Sequence, residues 1–133
     1  MKERTPEIVV DRSAEEPAYA QIAGQLRDLI AAGKLAAGSS LPPVRSLASD
    51  LGVNLNTVAR AYWRLEEEGF VQIRDRSGAE VVAPSQGPPV EREKLQQALR
   101  RVLAQMRQAG ISFEELRRLT NREIDFLVKG SRG

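Results

Sequence analysis

The sequence contains no cysteine and no histidine, and these two absences remove several kinds of chemistry. Without cysteine there is no disulfide framework, no thiolate metal site and no cysteine nucleophile. Without histidine the chain lacks the commonest general base and the commonest metal ligand. We also find no paired-carboxylate or phosphate-loop constellation. The sequence therefore predicts a protein that is not an enzyme, with no catalytic residues, no metal site and no cofactor.

Long apolar runs are also lacking. No stretch is long enough to span a bilayer, and the N-terminal residues MKERTPE lack the apolar core of a signal peptide. We therefore expect a cytoplasmic protein with no membrane partner. The net charge of +2 permits a nucleic-acid partner without pointing to one, because the excess of Lys and Arg lies in residues 91–133.

Three helical patterns follow one another in the first half of the chain, after a strand candidate at residues 8–10. The first begins at Pro17 and fades at Gly33, and the second stops at Gly52. The third follows Asn54, whose side chain can accept a hydrogen bond from an amide two or three residues further on. The residues predicted to face the core are Tyr19, Ile22, Leu26, Ile30, Val44, Leu47, Ala48, Leu51, Val58, Ala61, Tyr62 and Leu65.

After Gly69 the period changes from helix to strand. Residues 70–73 and 80–82 predict two strands, and residues 74–78 have the polar and glycine content of a hairpin turn. Prolines in residues 84–90 predict a linker, because they resist both helix and sheet pairing.

Residues 91–133 predict two helices with a break at Gly110. Ser112 opens the second helix with Glu115 completing a capping box, and Thr120 offers a fresh start within it. We expect the apolar stripes to pack against a second copy, because two short helices cannot bury both stripes against each other. The residues predicted for dimerisation are Leu95, Leu99, Val102, Leu103, Met106, Leu116, Leu119, Ile124 and Leu127.

Helix, short turn, helix and β-hairpin is the order of a winged helix-turn-helix. We therefore predict an α+β fold, with an N-terminal winged helix-turn-helix DNA-binding domain over residues 1–83, a linker over 84–90 and a short all-α C-terminal dimerisation tail over 91–133. In this fold the third helix offers its N-terminal end to the major groove, where its amides favour phosphate. Side chains of Asn, Thr and Arg suit base edges or phosphate there. The candidates for contact with DNA are Leu55, Asn56, Thr57, Arg60 and Arg64 on this helix and Arg74 and Arg76 in the turn.

Several blocks in the same order resemble the GntR family of bacterial repressors. They are LPPVRSLA at 41–48, LGVNLNTV at 51–58 and LEEEGFV at 65–71, preceded by PAYAQI at 17–22 and GKLAAG at 33–38. The short remainder of the chain is similar to the YtrA-type subfamily. That resemblance implies a tail that dimerises and a regulator that controls a transporter operon.

The resemblance also implies roles for individual positions. Arg45 matches a second-helix arginine that contacts the DNA backbone or a base, Asn54 matches the start of the recognition helix, and Gly78 matches a wing glycine. Two departures affect these roles. Residues 76–79 read RSGA where the family's wing has a Gly-Arg-Gly-Thr-like turn, and Leu55 stands where many relatives have Arg or Pro.

The leading interpretation is a transcription regulator, a repressor, that binds double-stranded DNA as a homodimer. A two-fold dimer would present two third helices to a palindromic operator, with half-sites about 34 Å apart or a multiple of that. One alternative is a regulator with a small-molecule effector between the tail and the wing, although the tail is short for a pocket of about 300 Å³. Another is a winged-helix adaptor that binds proteins. The position of Trp63 fits packing either on the tail or on the dimer mate.

Overall fold

The computed structural model describes residues 7–75, 78–84 and 89–129. This part of the chain forms five helices and one two-stranded antiparallel sheet, so the predicted α+β winged helix-turn-helix with a helical tail is confirmed. No helix among these residues is both long and apolar enough to cross a membrane. The elements in chain order are α1 (Ala18–Ala31), α2 (Val44–Leu51), α3 (Leu55–Glu67), β1 (Val71–Arg74), β2 (Gly78–Val81), α4 (Pro89–Gln108) and α5 (Phe113–Lys129).

The core lies where α3 packs against α1 on one side and against α2 on the other. All twelve residues that the helix period assigned to the core are buried or half-buried. Ile22, Leu26, Leu47 and Leu65 are fully buried, and each such side chain stabilises the fold by about 1.5–3 kcal/mol. Three helices are therefore held rigidly enough to position the exposed end of α3.

Tyr62 connects α3 to the segment that leads into α2. Its hydroxyl donates a 2.6 Å hydrogen bond to the carbonyl oxygen of Pro42. Burial disfavours the charged phenolate and raises the pKa of Tyr62 above its ordinary value. The buried hydroxyl is thus neutral and satisfied, and it fixes the entry to α2.

The wing differs from its prediction by one or two residues. Arg74 pairs with Gly78, so the second strand begins inside the region predicted as a turn and the first strand begins at Val71 rather than at Phe70. The reason is the alternation of burial: Ala79 and Val81 both point into the core, which requires this register.

A further strand-like segment extends the wing on its other edge. The amides of Gly38 and Leu41 donate to the carbonyls of Val81 and Ala79, both at 2.8 Å, and Val81 donates back to Ser39. Residues 34–39 carry glycine, serine and lysine without alternation, so the sequence gives no indication of a strand here. The sheet edge is therefore covered by the chain itself.

The strand candidate at residues 8–10 lies along α1 instead of in a sheet. The amide and carbonyl of Val9 bond to the side chain of Gln25, at 2.9 and 2.7 Å, and the amide of Asp11 donates to Gln21. Two glutamines one helical turn apart thus replace a partner strand. Arg12 continues the segment and donates a 2.6 Å hydrogen bond to the carbonyl of Gly52, in the turn between α2 and α3.

The tail contains two helices, and α4 begins at Pro89, inside the range predicted as a linker. Proline is tolerated in a first helical turn because its missing amide would be unpaired there. The Ser112 hydroxyl accepts from the amide of Glu115 at 3.1 Å, which confirms that Ser112 caps α5. The predicted fresh start at Thr120 is wrong, because its hydroxyl donates to the Leu116 carbonyl inside a continuous helix.

Candidate nucleic-acid interface

The N-terminal end of α3 is exposed and polar. The Asn54 side chain accepts a 2.8 Å hydrogen bond from the amide of Asn56, so the predicted cap is confirmed. Asn54, Leu55 and Asn56 are exposed and Thr57 is half-buried. The first turn of α3 has no acidic residue, which leaves the positive end of the helix dipole available to an anion.

Arg45 lies in the first turn of α2 and is exposed. Among the described residues it forms no ion pair. A free guanidinium retains all its donors for a phosphate or a base edge.

Arg60 and Arg64 lie one turn apart on α3, and both meet Tyr19 of α1. The guanidinium carbon of Arg60 lies 3.9 Å from the centre of the Tyr19 ring. Arg64 Nη1 lies 3.4 Å from the Tyr19 hydroxyl, and its guanidinium lies 3.6 Å from Glu68. Arg60 is thus stacked but without an acidic partner in the described chain, whereas Arg64 is ion-paired.

The wing carries one described arginine, and it is also paired. Arg74 lies 3.1 Å from Glu80 on the neighbouring strand. Gly78 stands in β2 rather than at the tip of the turn. Arg76 lies outside the described residues.

The acidic run at the C-terminal end of α3 is used within the fold. The Glu66 carboxylate accepts a 2.9 Å hydrogen bond from the amide of Ile73, and Glu68 lies 2.8 Å from Arg27 of α1. Twelve residues separate Glu66 from Asn54, which is roughly 18 Å along a helix. That exceeds the Debye length of about 8–10 Å, so these carboxylates repel phosphate at the other end only weakly.

Trp63 is 63% exposed. It lines an open cleft of about 740 Å³ together with Tyr19, Arg60 and Arg64, and with Glu66 and Glu67 at its rim. Both predicted positions for Trp63, packing on the tail and packing on the dimer mate, stay predictions.

The predicted dimerisation residues divide by exposure. Leu95, Leu99 and Val102 of α4 are 70%, 53% and 49% exposed, and Ile124 and Leu127 of α5 are 52% and 37% exposed. Leu103, Met106 and Leu119 are half-buried. Leu116 is buried within its own chain, because α5 packs against both α1 and α4.

A groove of about 560 Å³ separates α4 from α5. Its lining is mostly apolar and includes Leu103 and Phe113, and Arg107 stacks on the Phe113 ring at 4.7 Å. Two further arginines, Arg100 and Arg117, also line the groove. The groove exceeds the volume expected of so short a tail, and among the described residues no wing side chain lines it.

Two contributors to this surface were not found from the sequence. Tyr19 was assigned to the core of α1, although it is only half-buried and supports Arg60. Arg12 received no role from the sequence, although it binds the turn before α3. Both contacts join residues about 40 positions apart, which no local periodicity can reveal.

Three packed helices, an exposed polar end of the third and a covered β-hairpin define a winged helix-turn-helix protein. The sequence profile of bacterial regulatory proteins of the gntR family matches residues 18–81. The chain is 31% identical over 127 residues to the transcriptional repressor YtrA of Bacillus subtilis. The aligned residues are 94% of this chain and 97% of that protein. The chain belongs to the GntR family of bacterial transcription regulators and resembles YtrA over nearly its whole length.

Other relatives share only part of their length with it. The chain is 45% identical over 71 residues to a probable rhizopine catabolism regulatory protein, MocR, of Rhizobium meliloti. Those residues are 53% of this chain and only 14% of that protein. Both relatives are regulatory proteins by name, in agreement with the prediction that this chain is a regulator.

Two solved structures share the fold. The structure of YtrA from Sulfolobus acidocaldarius, a GntR-family transcription factor, is 40% identical, with a TM-score of 0.59 over 73% of this chain and 97% of that chain. A transcriptional antiterminator from Listeria monocytogenes is 21% identical and has a TM-score of 0.81 over 98% of each chain. The second likeness shows that the arrangement of the tail with the winged helix recurs.

Proposed function

We propose that this chain is a repressor that recognises a specific palindromic operator as a homodimer. The observation that carries the proposal is the exposed, acid-free end of α3, flanked by the guanidinium of Arg45, which forms no ion pair within the described part of the chain. Asn, Thr and Arg are side chains that bond base edges and phosphates, and a positive helix end favours phosphate. The proposed DNA surface consists of Arg45, Asn54, Leu55, Asn56, Thr57 and Arg60.

Arg64, Arg74 and Gly78 have a smaller part in this proposal. Each of the two arginines would have to give up part of an ion pair within the chain to reach a phosphate. Desolvation and loss of that pair offset the gain from a new contact. Their contribution is therefore general attraction to the duplex, while the α2–α3 surface discriminates between sequences.

The proposed homodimer buries the exposed stripe of α4. Leu95, Leu99 and Val102 lie on one side of a helix that makes few contacts with the winged helix. Each 100 Å² of apolar surface removed from water contributes about 2.5 kcal/mol, so a stripe of this size favours a partner strongly. We keep the division into a DNA-binding domain over residues 1–83 and a helical tail, with the start of the tail moved to Pro89, where α4 begins. We place the dimer in the cytoplasm at a transporter operon, as the YtrA-type resemblance implies.

The experiment is fluorescence anisotropy with the DNA upstream of the gene, compared with a scrambled duplex at fixed salt. Specific regulators prefer their site by about 10³-fold or more over non-specific DNA. A preference of that order supports the proposal. Equal, weak and salt-sensitive binding to both duplexes contradicts it and favours a winged-helix adaptor.

The groove between α4 and α5 favours a second function, that of an effector-responsive regulator. Its volume of about 560 Å³ lies within the range of small-molecule sites, and its mostly apolar lining with arginines suits an amphipathic anion. A thermal-shift screen of carboxylates and phosphates with apolar groups tests it. A rise in Tm that Phe113→Ala abolishes supports this function, and a screen without hits counts against it.

A further inference from the structure

Tyr19 lies between two guanidinium groups of α3. The Arg60 guanidinium carbon is 3.9 Å from the centre of the ring, and the Arg64 carbon is 5.9 Å from it. The Tyr19 hydroxyl lies 3.4 Å from Arg64 Nη1. One aromatic side chain at the start of α1 thus contacts two arginines on the helix that faces DNA in the proposed function.

Stacking on an aromatic ring leaves the donors of a guanidinium free. The ring covers one face of the planar group, while the five N–H donors lie in the plane and point outward. An unrestrained arginine loses much side-chain entropy when it binds, and a side chain that is already ordered loses less. A stacked Arg60 is therefore better prepared to bind a base edge or phosphate than a free one.

Tyr19 packs against the edge of the core and does not lie inside it. It is only half-buried, whereas Ile22 and Leu26, on the following turns of α1, are fully buried. The buried tyrosine of this fold is Tyr62, which has its own hydrogen bond to Pro42. Substitution of Tyr19 by leucine is therefore expected to lower Tm somewhat and to leave the fold intact, because the fully buried residues of α1 remain.

We propose that Tyr19 is a positioning residue for operator recognition. Its ring, in the first turn of α1, stacks on the Arg60 guanidinium and leaves the N–H donors of that guanidinium free to bind DNA. This inference rests on the proposed function. It goes beyond that function because it assigns part of the discrimination between DNA sequences to Tyr19, a residue of α1 that does not itself contact DNA.

The test uses the full chain with Tyr19→Leu, Tyr19→Phe, Arg60→Ala and the double variant Tyr19→Leu/Arg60→Ala. The phenylalanine variant keeps the stacking ring and removes the hydroxyl. Anisotropy measures Kd for the upstream operator duplex and for a scrambled duplex at two salt concentrations, and Tm and circular dichroism check folding.

Tyr19→Leu is expected to lower the preference for the operator by about fivefold to tenfold, the effect of an aromatic contact of this kind. Tyr19→Phe is expected to keep the preference near that of the wild type. In the Arg60→Ala background Tyr19→Leu should change nothing further, because the two residues act as one unit.

Three results overturn the inference. The first is a Tyr19→Leu variant whose preference for the operator is unchanged or improved. The second is a loss of preference on Tyr19→Leu that is the same with and without Arg60. The third is a Tyr19→Phe variant that loses as much preference as Tyr19→Leu. A wild-type chain that shows no preference for any duplex instead overturns the proposed function, and the inference falls with it.

Discussion

Asn54 combines two tasks that a single substitution can separate. Its side-chain oxygen caps α3 through the Asn56 amide, and its exposed position places it on the proposed DNA surface. Aspartate caps a helix as well as asparagine does, and its charge interacts favourably with the helix dipole. The same charge repels phosphate.

We therefore predict opposite effects of Asn54→Asp on stability and on binding. The free energy of unfolding should stay the same or rise, while operator affinity falls by tenfold or more, in the range of about 1–3 kcal/mol lost per specific contact. Asn54→Ala is the matched control and should lower the free energy of unfolding by about 1 kcal/mol. An aspartate variant that binds as tightly as the wild type would remove Asn54 from the interface.

Arg45 and Arg74 are a matched pair for separating free from ion-paired arginines. Arg45 forms no ion pair in the described chain, whereas Arg74 lies 3.1 Å from Glu80. Arg45→Ala should weaken operator binding and reduce the slope of log Kd against log salt by about 1 for each protomer. Arg74→Ala should change the slope less. Equal slopes for both variants would contradict the assignment.

At the scale of elements, the contact between α1 and α5 includes the carboxylate of Asp28, whose charged form is disfavoured there. Burial raises the pKa of Asp28, and nearby Glu123 raises it further while Arg27 lowers it. Because the pKa of Asp28 is higher in the folded state, the protonated carboxyl favours folding. This contribution to the free energy of unfolding is fully present below the ordinary pKa of 3.8 and is lost as the pH rises through the folded-state pKa.

Asp28→Asn should therefore raise Tm at neutral pH by a few degrees, because it removes the buried charge and keeps the shape. The gain should shrink as the pH falls through the raised pKa of Asp28, because the wild-type carboxyl then becomes protonated. Thermal unfolding from pH 4 to 8 measures it, with the exposed Asp125→Asn on α5 as the control. A gain that is independent of pH would show that charge burial is not its cause.

Element type and order could be predicted from the sequence, because the apolar periods of the helices were regular and the capping residues stood at their ends. Ser112 and Asn54 both cap the helices that their spacing predicted. The register of the wing could not be predicted, because it depends on the burial of Ala79 and Val81 against helices distant in sequence. The packing of residues 8–12 on α1 and the α2–α3 turn was hidden for the same reason.

At the scale of the whole molecule, the exposed stripe of α4 predicts that assembly and DNA binding are coupled. Leu99 is 53% exposed in the middle of this stripe, and Gln97 is exposed on the other side of the same helix. Leu99→Glu adds a charge where the proposed dimer is apolar, whereas Gln97→Glu adds the same charge outside it.

Leu99→Glu should yield monomers in light scattering and lose most of its operator affinity, because one protomer engages only one half-site. Gln97→Glu should remain dimeric and bind as the wild type does. Both should keep the circular dichroism of the wild type, since neither side chain is buried. A Leu99→Glu chain that stays dimeric would move the interface elsewhere, and the α4–α5 groove would be the next surface to test.

The most direct test of the central claim is selection of binding sequences from a random duplex library by the full chain, followed by sequencing. We predict a two-fold symmetric motif whose half-sites lie about 10–10.5 base pairs apart or a multiple of that, as two α3 helices of one dimer require. The motif should also occur in the DNA upstream of the gene, and Arg60→Ala should relax it at defined positions. Sequences that remain as random after selection as before it would contradict the claim that this chain reads DNA sequence.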